Sequence, residues 1–346
     1  MNPFKSLSPL CGVSIAAFLL ILIPKAEAGI VLQANYEDSS GEGFYDSTLG
    51  QARRDAFEYA LNIWGNALGP SHNGETITVD AEFNSLGGSS TSATLGQAGT
   101  DTYYNLNTDN PLIYHSALAN HIFGYDLDTN ESEGFATFNS DIDGGSVLSG
   151  YTWYYGTDNN AASNQIDFVS VVLHEIGHAL GFSGLLQSDG NYFDFDSSSS
   201  SSSDPELFNQ YDYHVVRKNS DSTYTPLQNL SASDRITAAT NDNIYWLGAE
   251  GIAANGGVAP KLYAPNQWAQ GSSYSHLDED TFSLELMSPS YTAGTPHEIS
   301  ALTLGMMYDM GWSAVQVPEP ATFAIWSLLA ITVTYGRQRR RGVAAS

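Results

Sequence analysis

Leu173-His174-Glu175-Ile176-Gly177-His178-Ala179-Leu180-Gly181-Phe182 holds two imidazoles and a carboxylate at a spacing that a helix makes useful. On an α-helix, residues four apart lie one turn above each other on the same face, so His174 and His178 can reach one metal ion. Glu175 is turned off that line but stays beside the open coordination position, where a carboxylate can take a proton from water. The H-E-x-x-H pattern is one that hydrolytic zinc sites use. Around it Phe168, Val171, Val172, Ile176 and Ala179 recur at helical spacing, with Asn164 or Asp167 placed to start a helix and Gly181 to end it. The spacing predicts a buried helix. The plainer alternative is a pair of structural histidines on a core helix.

A catalytic zinc usually takes three protein ligands and a water, so one ligand is still to be found. The compact motif H-E-x-x-H-x-x-G-x-x-H would put it at position 184; Gly181 fits that pattern, but position 184 is Gly184. A downstream glutamate is another solution. Glu206 lies at a suitable distance, though it follows a run of serines, Ser197 to Ser203, that reads as a flexible surface loop. Among the downstream histidines, His297 falls in Thr295-Pro296-His297-Glu298, which reads as a capping box with proline in the first turn and so as a surface position at a helix start. His214, in Tyr211-Asp212-Tyr213-His214-Val215-Val216, reads as a structural residue on a strand or at a helix end. His276 lies in Gly271-Ser272-Ser273-Tyr274-Ser275-His276-Leu277-Asp278, eleven residues ahead of Met287 in Glu285-Leu286-Met287-Ser288-Pro289.

On these residues the chain resembles the leishmanolysin-like branch of the metzincin zinc peptidases. Members of that branch carry H-E-x-x-H-A-L-G-F, a long insertion, a third zinc-binding histidine, and a methionine turn beneath the metal. The matching positions here are His174, Glu175, His178, Ala179, Leu180, Gly181 and Phe182, then His276 and Met287. Ile299 to Gly305 and Asp309-Met310-Gly311-Trp312 are similar to the family's closing helix. The resemblance is close over about 165 to 184 and 270 to 312, looser over the N-terminal third, and uninformative between 185 and 270. It implies His276 as third ligand, Met287 as an apolar floor under the metal and Gly181 as support for the site. Tyr291 follows Met287 by four residues, whereas metzincins that use a switching tyrosine place it two after the methionine, so it is a weak candidate.

The ends read as targeting segments. Residues 1 to 28 combine Lys5, an apolar stretch from Val13 to Ile23 and Ala26-Glu27-Ala28, the pattern of an export signal with its cleavage site. The single cysteine, Cys11, precedes the apolar run, which argues against a lipoprotein anchor and leaves the exported chain without disulfides. Residues 317 to 346 carry Pro318-Glu319-Pro320, an apolar stretch from Ala321 to Tyr335, then Arg337, Arg339, Arg340 and Arg341. This tail resembles the PEP-CTERM sorting signal of bacteria with a polysaccharide matrix, which implies an exosortase-type processing enzyme as partner. The alternative is a plain membrane anchor, for which the stretch is short, since a span needs about 20 apolar residues. Basic residues after it would hold the tail inside and the body outside.

The chain has 12 Lys and Arg and 38 Asp and Glu; six of the bases but only Glu27 and Glu319 of the acids lie in the two ends, which leaves the body with 36 acids against 6 bases. Such a surface disfavours nucleic acid and anionic membrane as partners. Solubility outside the cell is its plainest use.

The body, residues 29 to 316, is long enough for one catalytic domain with two lobes about a cleft. The expected class is α+β: an upper lobe, about 29 to 184, with a twisted mixed sheet and the active-site helix, and an irregular lower lobe, about 185 to 316, with the methionine turn and a C-terminal helix. Within the upper lobe the pattern predicts a helix over about 48 to 67, a strand over Thr76 to Phe83, and strands near Ala136 to Asn139 and Thr152 to Tyr155. Asp126-Leu127-Asp128-Thr129-Asn130 and Asp189 to Asp196 invite a calcium reading, but neither has the glycine and terminal glutamate of an EF-hand loop, so both read as solvated loops. Taken together these features describe an exported bacterial zinc endopeptidase, localised at the cell envelope, that acts on peptide or protein substrates. Two other classes stay open: a surface or matrix protein that keeps the fold without the activity, and a zinc hydrolase of a non-peptide amide. Glu175 speaks against the first, because a structural zinc site closes its fourth position and needs no base.

Overall fold

Strand alternation builds the sheet on which the helix with the two histidines rests. In the computed structural model, which describes residues 29–69, 76–100, 102–106, 111–193 and 206–313, the first strand β1 (Val31–Tyr36) is followed by helix α1 (Gly50–Ala67) and strand β2 (Thr76–Asn84). In β2, Ile77, Val79, Ala81 and Phe83 all turn to the buried side, as a period of two requires. Strands β3 (Gly96–Gly99), β4 (Tyr103–Tyr104) and β5 (Leu112–His115) lead into helix α2 (Ser116–Phe123). Then come β6 (Gly134–Asn139), β7 (Thr152–Tyr154), β8 (Gln165–Asp167) and helix α3 (Phe168–Ala179). The principal sheet has the order β1-β2-β6-β3. Its first three strands are parallel, with Val79 opposite Gly134, and β3 closes the edge antiparallel, with Gly96 opposite Phe138.

Helices α1 and α3 cover one face of this sheet through an aromatic core. Phe44, Phe57, Phe83, Phe138 and Phe168 are buried together, with ring centroids 4.8 Å apart for Phe138 and Phe168 and 5.3 Å for Phe83 and Phe168. Such pairs add to the gain from apolar burial. The indole N–H of Trp64 on α1 donates to the carbonyl of Leu173 at 2.9 Å, tying α1 to α3 beside His174. The start of α3 is fixed by Asp167, whose carboxylate accepts from the Ser170 N–H at 2.9 Å. Its end is closed by a left-handed Gly181, with the N–H groups of Gly181 and Phe182 turned back to the carbonyls of His178 and Gly177.

Beyond α3 the described residues form β9 (Phe208–Asn209), α4 (Gln210–His214), β10 (Val215–Lys218), β11 (Tyr224–Pro226), α5 (Ala232–Ala239), β12 (Tyr245–Trp246), α6 (Ala249–Ala254), α7 (Glu279–Phe282) and α8 (Ala301–Met310), all but the last of eight residues or fewer. Strands β11, β10 and β12 form a small antiparallel sheet, and β9 pairs parallel with β5. The fold is therefore α+β with several mixed sheets. The strands expected at Thr76, Ala136 and Thr152 are present, and the expected early helix starts at Gly50. The segment read as an export signal, the serine run and the C-terminal tail lie outside the described residues, among which no helix is long and apolar enough to cross a membrane.

Candidate metal centre

Three imidazoles meet at the base of a cleft. The Nε2 atoms of His174 and His178, one turn apart on α3, are 3.1 Å from each other, and His276 Nε2, 98 residues further along the chain than His178, sits 3.1 and 3.2 Å from them. Each ring spends its other nitrogen on a backbone carbonyl: His174 Nδ1 on Leu286 at 2.7 Å, His178 Nδ1 on Phe182 at 2.7 Å and His276 Nδ1 on Ser272 at 2.8 Å. A carbonyl can only accept, so each Nδ1 carries the proton and each Nε2 turns a bare lone pair inward. Burial, reinforced at His174 and His276 by the neighbouring rings, lowers the affinity of all three for a proton, to a pKa of about 3 at His174 and about 4 at His178.

Three neutral lone pairs at this separation repel unless a cation lies between them. Tetrahedral zinc with bonds of about 2.0–2.1 Å needs ligand atoms about 3.3–3.4 Å apart, close to what these rings present. The three histidines could thus hold a metal ion, and a tautomer fixed by a hydrogen bond on the far nitrogen is the usual arrangement of a ligating histidine.

Glu175 points to the same cleft from the next position on α3. Its side chain is 5% exposed, and burial without a charged partner pushes its carboxyl up to about 8. Gly96 on the edge strand lies against it, where a Cβ would fall 2.8 Å from Glu175 Oε1. The cleft, of about 1170 Å³, is lined by Gly96 to Ala98 of β3, by His174, Glu175 and His178, and by His276 and Tyr291 from the later part of the chain. Met287 is fully buried beneath α3; the Cβ of any larger residue at Gly177 would fall 2.8 Å from its sulfur.

The remaining sequence candidates are placed elsewhere. Glu206 is engaged by Arg235 through two hydrogen bonds of 2.8 and 2.6 Å. His214 ends α4, donates from Nε2 to the Asp309 carbonyl at 2.8 Å and stacks on Trp246, the structural role expected of it. His297 corrects its expectation. No helix begins there; α8 starts at Ala301 with Ser300 as its cap, and His297 is only 5% exposed. The reason is tertiary: the His297 N–H donates to Ser170 Oγ on α3 at 2.8 Å, and its ring packs on Tyr291, which holds the Thr295–Glu298 segment down and overrides the capping-box pattern. The Tyr291 hydroxyl accepts from the Asp167 N–H at 3.1 Å, so it is tied to the start of α3. Asp126 and Asp128 accept from the backbone N–H two residues on, the local turns of a solvated loop.

Sequence reading missed the carbonyls of Leu286, Phe182 and Ser272, which fix the tautomers, because a backbone acceptor leaves no residue-type signal. It also missed Asp212 and Tyr274; only the Asn209-x-x-Asp212 spacing of a capping box was there to be noticed. No family model matches the chain, and no curated protein or solved structure matches it either.

Proposed function

We propose that the chain is an exported zinc-dependent endopeptidase of metzincin type, with His174, His178 and His276 as metal ligands and Glu175 as the general base. The observation that carries this reading is the triangle of bare Nε2 atoms with a buried carboxylate on the adjacent helical position. Zinc, when bound, supplies Lewis acidity, polarising the scissile carbonyl and acidifying water. Glu175 takes the proton of the attacking water and passes it to the leaving amine, so no covalent intermediate is required. Met287, packed under Gly177, keeps the floor of the site apolar. A peptide is favoured over a small amide by β3, an outer strand of the principal sheet that runs along the cleft and offers an extended chain a row of backbone groups. The sorting-type tail routes the body to the cell envelope and is removed there by an exosortase-type enzyme.

The mature protein, purified from the envelope, is to be assayed for metal content and for hydrolysis of casein, alongside Glu175→Gln. We expect one zinc per chain in both proteins, a C-terminus short of Ser346 by mass spectrometry, and about 10²–10⁴-fold slower cleavage by the variant. Equal rates would remove Glu175 from the mechanism. Zinc bound with no cleavage by either protein would favour a surface protein that keeps the site without the activity.

A further inference from the structure

Asp212 is a carboxylate without exposed surface that takes no part in the metal site described above. Its Oδ1 accepts the N–H of Leu185 at 2.9 Å and the hydroxyl of Tyr274 at 3.0 Å, and its Oδ2 accepts the N–H of Asn209 at 2.9 Å. Those partners belong to different parts of the chain. Leu185 lies three residues beyond Phe182, whose carbonyl orients His178, while Tyr274 lies two residues before His276. One carboxylate therefore joins the exit of α3 to the loop that delivers the third histidine.

That loop is held in a conformation it would not choose alone. Tyr274 is fully buried with φ at +78°, in the left-handed region, where a residue with a side chain is strained and which persists only where the surroundings impose it. The surroundings here are specific. The Tyr211 hydroxyl donates to the Tyr274 carbonyl at 2.8 Å, the Tyr274 N–H donates to the Tyr263 carbonyl at 2.9 Å, and the Gly184 N–H donates to Ser275 Oγ at 3.1 Å. The Tyr274 ring lies so close to Gly184 that a Cβ there would fall 2.1 Å from its Cε1 and 2.6 Å from Asp212 Oδ1. Position 184 is where the compact zinc motif would carry its own third histidine. In this chain that space is filled by the pair of side chains that anchors the remote one.

We propose that Asp212 is the positioning residue for the third metal ligand: by holding the Tyr274 hydroxyl and the Leu185 N–H on one oxygen, it sets the register of the His276 loop against the exit of the metal helix. The proposal rests on the three-histidine reading of the metal centre. Asparagine cannot replace this carboxylate, because its amide nitrogen would face either the Asn209 N–H or the two donors on the other side. Phenylalanine at 274 keeps the ring against Gly184 and removes only the link to Asp212.

The test uses the full chain stripped of metal, with Zn²⁺ titrated against a chromophoric chelator and Co²⁺ used as a spectroscopic probe of ligand geometry. Wild type, Tyr274→Phe, Asp212→Asn and His276→Ala are compared, and urea unfolding of each metal-free protein is measured in parallel. Tyr274→Phe is expected to weaken zinc binding about 10–100-fold, the range for outer partners of a metal site, and to move the cobalt spectrum toward that of His276→Ala. Asp212→Asn should go further in the same direction. If Tyr274→Phe shifts the urea midpoint but binds zinc with wild-type affinity and gives the wild-type cobalt spectrum, Asp212 is a structural residue only and the proposal is overturned. Should Asp212→Asn fail to fold, Tyr274→Phe decides alone. Wild-type affinity in His276→Ala would instead overturn the ligand assignment itself, and the proposal with it.

Discussion

Residues 168–182 and residues 183–287 supply the same candidate metal centre by opposite means. The first segment delivers two histidines and a carboxylate within five consecutive residues, because one turn of helix α3 sets their spacing and the aromatic core beneath sets the helix. The second delivers one histidine through strands of two to four residues, a left-handed tyrosine and a buried carboxylate. In the first, geometry is local and packing only has to hold it in place. In the second, geometry is made by contacts between residues far apart in the chain. Damage to the first segment's scaffold should therefore cost stability first, whereas damage to the second should cost metal affinity before it costs the fold.

The largest break in that comparison is expected at Arg53, on α1 and remote in sequence from every candidate ligand. Its guanidinium donates to Asp143 at 2.9 Å, to the Tyr155 hydroxyl at 3.0 Å and to the Gly43 carbonyl at 2.6 Å, with 7% of the side chain exposed. It also lies 4.3 Å over the Phe83 ring, so the network is fastened to the aromatic core. Arg53→Met keeps part of the stem and leaves Asp143 without its cation. We expect a loss of about 3 kcal/mol by urea unfolding, the scale for breaking a largely buried pair. Zinc affinity of the folded fraction should stay at the wild-type value. A fall in affinity at urea concentrations well below the transition would show that the two segments are not separable.

Glu133, immediately before β6 and bonded to both β2 and α2, gives a pH-dependent version of the same test. It is 4% exposed, accepts the Thr78 N–H at 2.6 Å and the Asn120 amide at 2.8 Å, and burial, with a smaller push from Asp126, raises its pKa to about 7. A carboxyl whose folded pKa lies above its unfolded value of about 4.3 holds its proton more tightly in the native state. The stability this contributes is complete below the unfolded value and is lost as pH rises through about 7. Glu133→Gln removes the titration and sacrifices one acceptor at all pH values. Its unfolding free energy should therefore fall less between pH 4.5 and pH 8 than that of wild type, by up to about 3 kcal/mol. Parallel slopes for the two proteins would mean that Glu133 is solvated or paired when charged.

The same contrast explains what could be read in advance. Periodicity found α1 and β2 because each buries one face against a neighbour, and burial leaves a repeating mark on residue type; α3 shows the same helical spacing although nearly all of it is buried, and aromatic content marked β6. The paired histidines were legible for the same reason, since helix spacing converts sequence distance into spatial distance. His276 had no such mark of its own; only its distance to Met287, and the family pattern this resembles, singled it out. His297 was misplaced because the Thr-Pro-His-Glu pattern is locally a good helix start, while the Ser170 hydroxyl and the Tyr291 ring that hold the segment flat come from elsewhere in the chain. Asp212 and Tyr274 were invisible because their role is a contact between residues 62 apart.

The smallest expected effect on stability lies where the two segments touch, and there it is the most informative. Gly177 sits between the two histidines on α3, and a Cβ there would fall 2.8 Å from Met287 Sδ, 3.2 Å from its Cε and 3.4 Å from Trp64 Cζ2. Alanine gains about 1 kcal/mol of helix propensity over glycine, which offsets much of the roughly 1–3 kcal/mol that overpacking a core costs. The methionine end is flexible and can give way, so the net change in unfolding free energy for Gly177→Ala should be within about 1 kcal/mol of zero. The displaced side chain belongs to the residue after Leu286, however, and the Leu286 carbonyl holds His174 Nδ1 at 2.7 Å. Moving Met287 should therefore disturb His174 from the second segment's side, and zinc affinity should fall while stability stays. Calorimetric unfolding of the metal-free protein and zinc competition titrations read the two quantities separately. A large stability loss with affinity intact would reverse the division of labour drawn above, because it would make Met287 a part of the scaffold and not of the metal centre.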